Sequence, residues 1–165
     1  MNRLITPRPL TRQAFAPFGE VIEADPAKAI AINYGATTRF DDLARIDVAD
    51  QGGRPAASLF RSTPLPRPIP IKVMERHPLG SQAFIPLSSR PFVVVVGHPG
   101  AFDPHDLHVF LAAPHQGVNY GKGTWHHYSL ALGEVSDFLV IDRAGPGDNL
   151  DEVYLSEADQ ALIDV

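Results

Sequence analysis

Two short segments of the sequence carry the residue types that acid–base or metal chemistry requires. In the first, Glu75 and His77 lie two residues apart and are followed by a turn and by Gln82. Side chains two residues apart on a strand point to the same face, so Glu75 and His77 would project together while Arg76 points away. A carboxylate and an imidazole that meet in a partly dry pocket can act as general acid and base. An exposed ion pair on an edge strand would satisfy the same pattern, so both interpretations stay open.

The second segment, residues 116–127, is rich in glycine and contains the only tryptophan of the chain. Its glycines surround Asn119 and Tyr120, which indicates unusual backbone angles or a close approach of the backbone to a ligand. Neighbouring residues of a strand face opposite sides, so only one of His126 and His127 can share an interior with the histidine of the first segment. A glycine-rich hairpin closed by an aromatic side chain is the structural alternative.

Together the two segments supply imidazole and carboxylate groups, a ligand set that suits nickel, zinc, manganese or iron on a rigid β scaffold. The chain has no cysteine, which excludes thiolate metal sites, iron–sulfur clusters, disulfides and thiol nucleophiles. Catalysis must therefore use histidine, carboxylate, hydroxyl, lysine or arginine groups. Of the other histidines, His98 and His115 lie beside proline or glycine, and His105 and His108 flank a turn rich in proline and aspartate. We expect all four in exposed loops.

The composition is that of one globular domain over residues 1–165, with 44% hydrophobic residues. The formal net charge is −5, and lysine and arginine are not clustered, which argues against a nucleic acid or an anionic membrane as the partner. No segment approaches the roughly 20 apolar residues of a membrane span, and none has the hydrophobic character of a signal peptide. We therefore expect a cytoplasmic protein that acts on a small molecule.

The 16 prolines and 13 glycines divide the chain into short elements, which predicts many short strands and no long helix. Alternating apolar residues predict one continuous strand over residues 69–77. Consecutive valines predict a strand covered on both faces over residues 92–96. Short helices are expected at both ends, one over residues 11–16 capped by Thr11 and one over the last ten residues capped by Ser156. Such a set of elements describes a β-barrel or sandwich.

The spacing of these residues resembles the two sequence motifs of the cupin family. The first motif falls on Glu75, His77, Gln82 and Ser89. Only His77 keeps the residue typical of the family there. Gly123 and His126 match the end of the second motif, in which Gly121 replaces a proline. The resemblance implies a mainly β, cupin-like double-stranded β-helix barrel with short helices at its N-terminal and C-terminal ends.

A more extensive resemblance is to the ureidoglycolate lyase family, also called ureidoglycolate hydrolase, a cupin-like group of allantoin breakdown. It runs over nearly the whole chain, and its specific blocks are residues 75–86, 116–120 and 125–127. Loop 99–106 and the last 20 residues match poorly. The resemblance implies cleavage of ureidoglycolate to glyoxylate and urea by a homodimer, with nickel as a cofactor in some members.

The implied reaction removes a hydroxyl proton and protonates the departing urea nitrogen, which suits an acid–base pair. The predicted catalytic residues are Glu75, His77 and His126, which are also the metal ligands if a metal is bound. The predicted substrate-binding residues are Arg61, Gln82, Asn119 and Tyr120, with Arg61 as one of several arginines that could clamp the substrate carboxylate.

Several hypotheses stay open at this point. Glu75 and Gln82 stand where typical cupins have histidine and glutamate, so metal-free acid–base catalysis competes with a nickel site. The competing functions are an ammonia-releasing ureidoglycolate hydrolase, a metal-dependent cupin isomerase or dioxygenase, and a non-catalytic cupin that binds a small carboxylate.

Overall fold

A computed structural model describes residues 3–165 as a β-rich fold with short helical segments. Helix α1 spans Arg12–Phe15, and the Thr11 hydroxyl accepts a hydrogen bond from the Ala14 amide at 3.2 Å. This cap confirms the predicted N-terminal helix.

Single 3₁₀ turns lie at Pro26–Lys28, Asn33–Gly35 and Asp50–Gly52. The strands are, in chain order, β1 (Arg3–Ile5), β2 (Arg8–Pro9), β3 (Gly19–Ile22), β4 (Ala29–Ile32), β5 (Thr37–Phe40), β6 (Arg54–Ser62), β7 (Ile69–Ile71), β8 (Val73–Arg76), β9 (Gln82–Pro86), β10 (Phe92–Gly97), β11 (His108–Ala112), β12 (Gly117–Tyr120), β13 (Trp125–His126), β14 (Leu130–Ala131), β15 (Ser136–Ala144), β16 (Asp151–Tyr154) and β17 (Ala161–Ile163).

Two large sheets face each other and enclose the main core. One has the strand order β3-β12-β9-β15-β6, and the other has the order β16-β8-β13-β10-β11-β2, with β14 also paired to β10. The space between them is filled by aromatic side chains from both sheets and from the α1 region, among them Phe15, Phe18, Phe84, Phe110 and Phe138. Full burial of one such side chain contributes about 1.5–3 kcal/mol. This architecture confirms the mainly β, cupin-like barrel.

Strand β10 is buried on both faces, as its valines predict. Val94 and Val96 face the main core, while Val93 and Val95 face a second apolar core. The second core is covered by a small sheet with the strand order β1-β17-β7. A strand enclosed in this way has no solvent face for polar side chains, which explains the run of valines.

The prediction of one continuous strand over residues 69–77 is wrong, because the chain divides at Lys72. Strand β7 belongs to the small sheet, whereas β8 belongs to the seven-stranded sheet. Ile71 and Met74 are both fully buried although they lie three residues apart. The inward face therefore shifts by one residue at Lys72, whose ammonium group stays exposed to water. Alternation resumes after this break, so Glu75 and His77 still share a face.

The predicted C-terminal helix is also wrong. Ser156 does start a turn, in which its hydroxyl donates to the Asp159 carboxylate at 2.7 Å. The chain then continues as strand β17, which lies between β1 and β7. Ala161 and Ile163 are fully buried while Leu162 between them is not, and this period of two belongs to a strand. Pairing on both sides outweighs the weak helical signal of the local sequence.

Two features of the surface bear on assembly. Strands β4 and β5 form a separate two-stranded hairpin whose side chains are mostly exposed. Strand β6 is one of the two edge strands of the five-stranded sheet, and its Leu59 and Phe60 are exposed. Within residues 3–165, no helix combines the length and the apolar character needed to cross a bilayer.

Candidate active site

Three predicted catalytic residues meet inside one end of the barrel. Strand register pairs Glu75 of β8 directly with His126 of β13, so their side chains lie on the same inner face. The Glu75 Oε1 atom lies 3.4 Å from His126 Nε2, and the rings of His77 and His126 are 5.1 Å apart. One ligand atom from each residue lies within 4.8 Å of the other two.

Hydrogen bonds to backbone carbonyls fix the orientation of both imidazoles. His126 Nδ1 donates to the Thr124 carbonyl at 3.0 Å, and His77 Nδ1 donates to the Asn149 carbonyl at 2.8 Å. A carbonyl can only accept, so each neutral ring carries its lone pair on Nε2. Neither Nε2 atom has a hydrogen-bond partner among the described residues. Two lone pairs and one carboxylate therefore converge with no proton donor between them.

Burial and charge set the protonation state of this group. Burial lowers the pKa of His126, an effect that the contact with Glu75 only partly offsets. For Glu75, burial acts to raise the pKa of the carboxyl, but the contact with His126 and the charges of His126 and His77 together lower it. At neutral pH the site therefore holds an ionised carboxylate and an unprotonated His126.

Tyr120 closes this group from the opposite sheet. Its ring stacks on His126 with a centroid distance of 4.3 Å and an interplanar angle of 11°. Burial, with a smaller contribution from the charge of Glu75, raises the pKa of the Tyr120 phenol. The phenol therefore keeps its proton at neutral pH and can act as an O–H donor.

Gln82 lies on β9 beside Tyr120, with which it pairs across the sheet. Its side chain is buried, and its Nε2 donates to the Asp142 carboxylate at 3.2 Å. Its Oε1 is buried without a partner among residues 3–165. Asp142 is absent from the sequence-based set, although the alternation of β15 indicates it, because Val140 faces the core and Asp142 lies two residues further on the same face.

Two predicted substrate ligands do not join this group. Asn119 points to the other side of β12, where it donates to Glu20 at 2.8 Å and to the Arg45 carbonyl at 2.9 Å. There it lines a cavity of about 700 Å³ that does not include the catalytic group. Arg61 lies on the outer edge of β6 with its side chain 67% exposed, and it forms a bidentate pair with Asp137 at 2.8 and 2.9 Å.

Only one of the paired histidines shares the interior with His77, as strand alternation predicts. The His127 ring packs on the Tyr128 ring with a centroid distance of 3.9 Å, and burial lowers the pKa of His127 to about 4.

The sequence does not predict the hydrogen bonds by which Asn149 holds the His77 segment in place. Asn149 accepts from His77 through its backbone and from the Leu79 amide through its side chain, at 2.8 Å each. Asn149 lies in the last 20 residues, for which the sequence predicts no role in the site.

The barrel and the imidazole–carboxylate group inside its end define a cupin-like protein. The family model described as ureidoglycolate lyase matches residues 2–162. A Burkholderia mallei (strain NCTC 10229) protein named ureidoglycolate lyase is 56% identical over 161 residues, which cover 95% of each chain. Ureidoglycolate lyase 1 of Rhizobium meliloti (strain 1021) is 50% identical over 158 residues, or 96% of this chain and 93% of that protein. A Rhizobium etli (strain CIAT 652) ureidoglycolate lyase is 53% identical over 154 residues, or 93% of each chain. The chain belongs to the ureidoglycolate lyase family.

Proposed function

We propose that this chain cleaves ureidoglycolate to glyoxylate and urea, a step of allantoin breakdown. The names of its relatives indicate the substrate. The observation that carries the proposal is the convergence of Glu75, His77 and His126, because their free lone pairs can receive a proton from a bound hydroxyl group.

Ureidoglycolate carries a hydroxyl, a carboxylate and a urea nitrogen on one carbon. Cleavage breaks the carbon–nitrogen bond and forms the aldehyde double bond, while the hydroxyl loses its proton and the urea nitrogen gains one. No net proton is taken up or released, and no carbon–hydrogen bond breaks. A single base can therefore take the hydroxyl proton and return it to the leaving nitrogen.

We assign this shuttle to Nε2 of His126. Its Nδ1 proton is held by Thr124, so only Nε2 can accept, and the lowered pKa keeps that atom unprotonated at neutral pH. The imidazolium formed when it accepts the hydroxyl proton is stabilised by the Glu75 carboxylate 3.4 Å away. It then protonates the urea nitrogen as the carbon–nitrogen bond breaks. Proton transfer by a positioned side chain contributes roughly 10²–10⁴-fold to a rate.

The same residues fit a nickel ion. Glu75, His77 and His126 offer one oxygen and two nitrogen acceptors, and each histidine donates its other ring N–H to a carbonyl, as metal-ligating histidines commonly do. Bound nickel would supply Lewis-acid polarisation of the hydroxyl and carboxylate oxygens of the substrate. Turnover of metal-stripped protein, measured before and after nickel addition, decides between the metal-free and nickel-dependent forms of the proposal.

For the ends of the substrate, we assign groups that have an unused hydrogen-bonding atom in the site. The unpartnered Oε1 of Gln82 accepts from a ureido N–H, and Asp142 fixes the orientation of the amide. The Tyr120 phenol donates to the substrate carboxylate. Arg61 and Asn119 play no part in this assignment because their donors are already bonded outside the group.

The proposal includes a homodimer in the cytoplasm. The free edge of β6, with Leu59 and Phe60 exposed, supports association of two copies through that edge. A two-stranded hairpin such as β4–β5 is marginally stable by itself, which also favours a second copy as its support. Light scattering of the purified protein measures the mass of the particle, and a mass of one chain would contradict the dimer.

The activity test is product analysis on purified protein given ureidoglycolate. We expect glyoxylate and urea in equal amounts, measured by a coupled dehydrogenase assay and by urease-dependent ammonia. Ammonia released without urease would identify a hydrolase, and oxygen consumption would identify a dioxygenase. Binding of glyoxylate in calorimetry without any turnover would identify a non-catalytic binder.

A further inference from the structure

A second group of metal-ligating side chains lies at the rim of the barrel, outside the catalytic group. It consists of His98, Asp106 and His108, and one ligand atom of each lies within 4.8 Å of the other two. The sequence predicts both histidines in exposed loops. This prediction is confirmed for His98, which follows β10 directly outside any strand and is 49% exposed, and it is wrong for His108, which begins β11 and is 31% exposed.

The Asp106 carboxylate bridges the two rings. Its Oδ2 atom accepts from His98 Nδ1 at 2.7 Å and from the His98 amide at 3.0 Å, while its Oδ1 atom accepts from His108 Nε2 at 2.9 Å. Phe18 supports both rings from the core, with centroid distances of 4.8 and 5.0 Å. The three side chains are thus held in place before any ligand binds.

Strand register places this group relative to the catalytic one. Val96 pairs with His126 on one side and with His108 on the other, so the two histidines lie on one row of the sheet. Two strand spacings correspond to about 10 Å. The groups are therefore neighbours at the same end of the barrel, but no ligand atom is shared between them.

We propose that His98, Asp106 and His108 form a second metal site, for a divalent transition ion such as zinc. Two imidazoles and one carboxylate are a ligand set that zinc prefers, with water free to complete a tetrahedron. Bonds of about 2.0–2.1 Å in a tetrahedron separate ligand atoms by about 3.4 Å. The two hydrogen-bonded pairs of ligand atoms, which are 2.7 and 2.9 Å apart, must therefore separate by about 0.5–0.7 Å, which is within the reach of side chains at an exposed rim.

Arg8 opposes the binding of a metal ion at this site. Its Nη2 lies 3.2 Å from Nδ1 of His108, and its guanidinium lies over the Phe110 ring at 4.6 Å. Because a guanidinium can only donate, His108 carries its proton on Nε2, the atom that faces Asp106. A metal on Nε2 moves this proton to Nδ1, where it would meet the donor of Arg8. Metal binding therefore requires Arg8 to turn away from the ring.

The first test measures zinc binding to the full chain by calorimetry and equilibrium dialysis. The Glu75→Gln, His77→Asn double variant removes two ligands of the catalytic group, and we expect it to keep about one zinc ion per chain. Adding His108→Ala to this background should weaken that binding at least tenfold. Adding His105→Ala, a matched change in the loop that precedes β11, should leave the zinc affinity unchanged. Equal affinity in these two triple variants would overturn the proposal.

The second test uses a substitution that should raise the affinity for zinc, a result that misfolding would not produce. Arg8→Ala in the same double-variant background removes a like charge and frees Nδ1 of His108. We expect zinc to bind on the order of tenfold more tightly at low salt, with a smaller gain as salt is raised. An affinity that Arg8→Ala lowers or leaves unchanged would contradict His108 Nε2 as a zinc ligand.

Discussion

Replacement of His126 by asparagine tests the proton shuttle. The amide nitrogen of asparagine can occupy the place of Nδ1 and keep the hydrogen bond to the Thr124 carbonyl, which in the wild type is 3.0 Å long. The variant loses only the Nε2 atom that faces Glu75 at 3.4 Å. His126→Asn therefore removes the base and keeps the hydrogen bond that holds the side chain in place. His126→Ala would remove both.

The size of the effect follows from the role assigned to Nε2. Loss of a positioned general base costs roughly 10²–10⁴ in rate, equivalent to about 2.7–5.4 kcal/mol of transition-state stabilisation. We expect the loss to fall on kcat, because Tyr120 and Gln82 still bind the substrate. The side chain is fully buried, so some stability is lost too, by about 1–3 kcal/mol for an imperfectly satisfied polar group.

The assay is steady-state release of glyoxylate, with the unfolding midpoint in urea measured on the same preparation. His115→Asn is the matched control, since the His115 side chain is 73% exposed and lies outside the site. We expect the control to retain wild-type kcat. If folded His126→Asn protein retains kcat within threefold of the wild type, the shuttle is not at His126.

Three further predictions address other parts of the account. Burial lowers the pKa of His126 from its ordinary value of 6.5, so Nε2 of His126 is unprotonated at neutral pH. We therefore expect kcat/KM to be level at neutral pH and to fall only in more acidic solution, as Nε2 is protonated. A fall in kcat/KM that begins above pH 7 would contradict this assignment. Gln82→Leu removes the free Oε1 acceptor, so it should raise KM about tenfold with a smaller change in kcat. Arg61→Ala, in contrast, should change KM and kcat by no more than about twofold. Phe138→Ala removes a fully buried ring from the main core. It should lower the free energy of unfolding, measured by urea titration, by about 3–5 kcal/mol. A loss below about 1 kcal/mol would contradict the packing of this ring.

The parts of the fold that the sequence predicts well are those where the local pattern and the tertiary environment agree. The valines of β10 indicate a strand covered on both faces, and it has that position. Thr11 indicates a helix cap, and it forms one. The pattern fails where pairing with distant strands decides the structure. Lys72 divides a run that alternates well, and residues 161–163 form a strand because β1 and β7 lie on either side.

The site shows the same division. Spacing alone places Glu75 and His77 on one face. The prediction that only one of His126 and His127 shares an interior with His77 is also confirmed. The partners that orient these groups come from far along the chain, and nothing near the catalytic segments indicates them. Asn149, which holds His77, lies 72 residues away from it. Asp142 is similarly recognisable only once the inward face of β15 is known.

The cavity lined by Asn119 is the main structural competitor for the substrate. It contains Lys122, whose ammonium lies 2.6 Å from Asp50 and 3.4 Å from Asp47. The charge of this lysine is therefore already paired with carboxylates, which weakens its attraction for an anionic substrate. The catalytic group instead offers lone pairs that have no partner.

A crystal structure with bound glyoxylate would locate the cleavage reaction, because the product lies where the carbon–nitrogen bond breaks. We predict that glyoxylate lies between Glu75, His77 and His126, with its aldehyde oxygen within about 3 Å of His126 Nε2. Glyoxylate bound only in the cavity beside Asn119 and Lys122 would contradict the account.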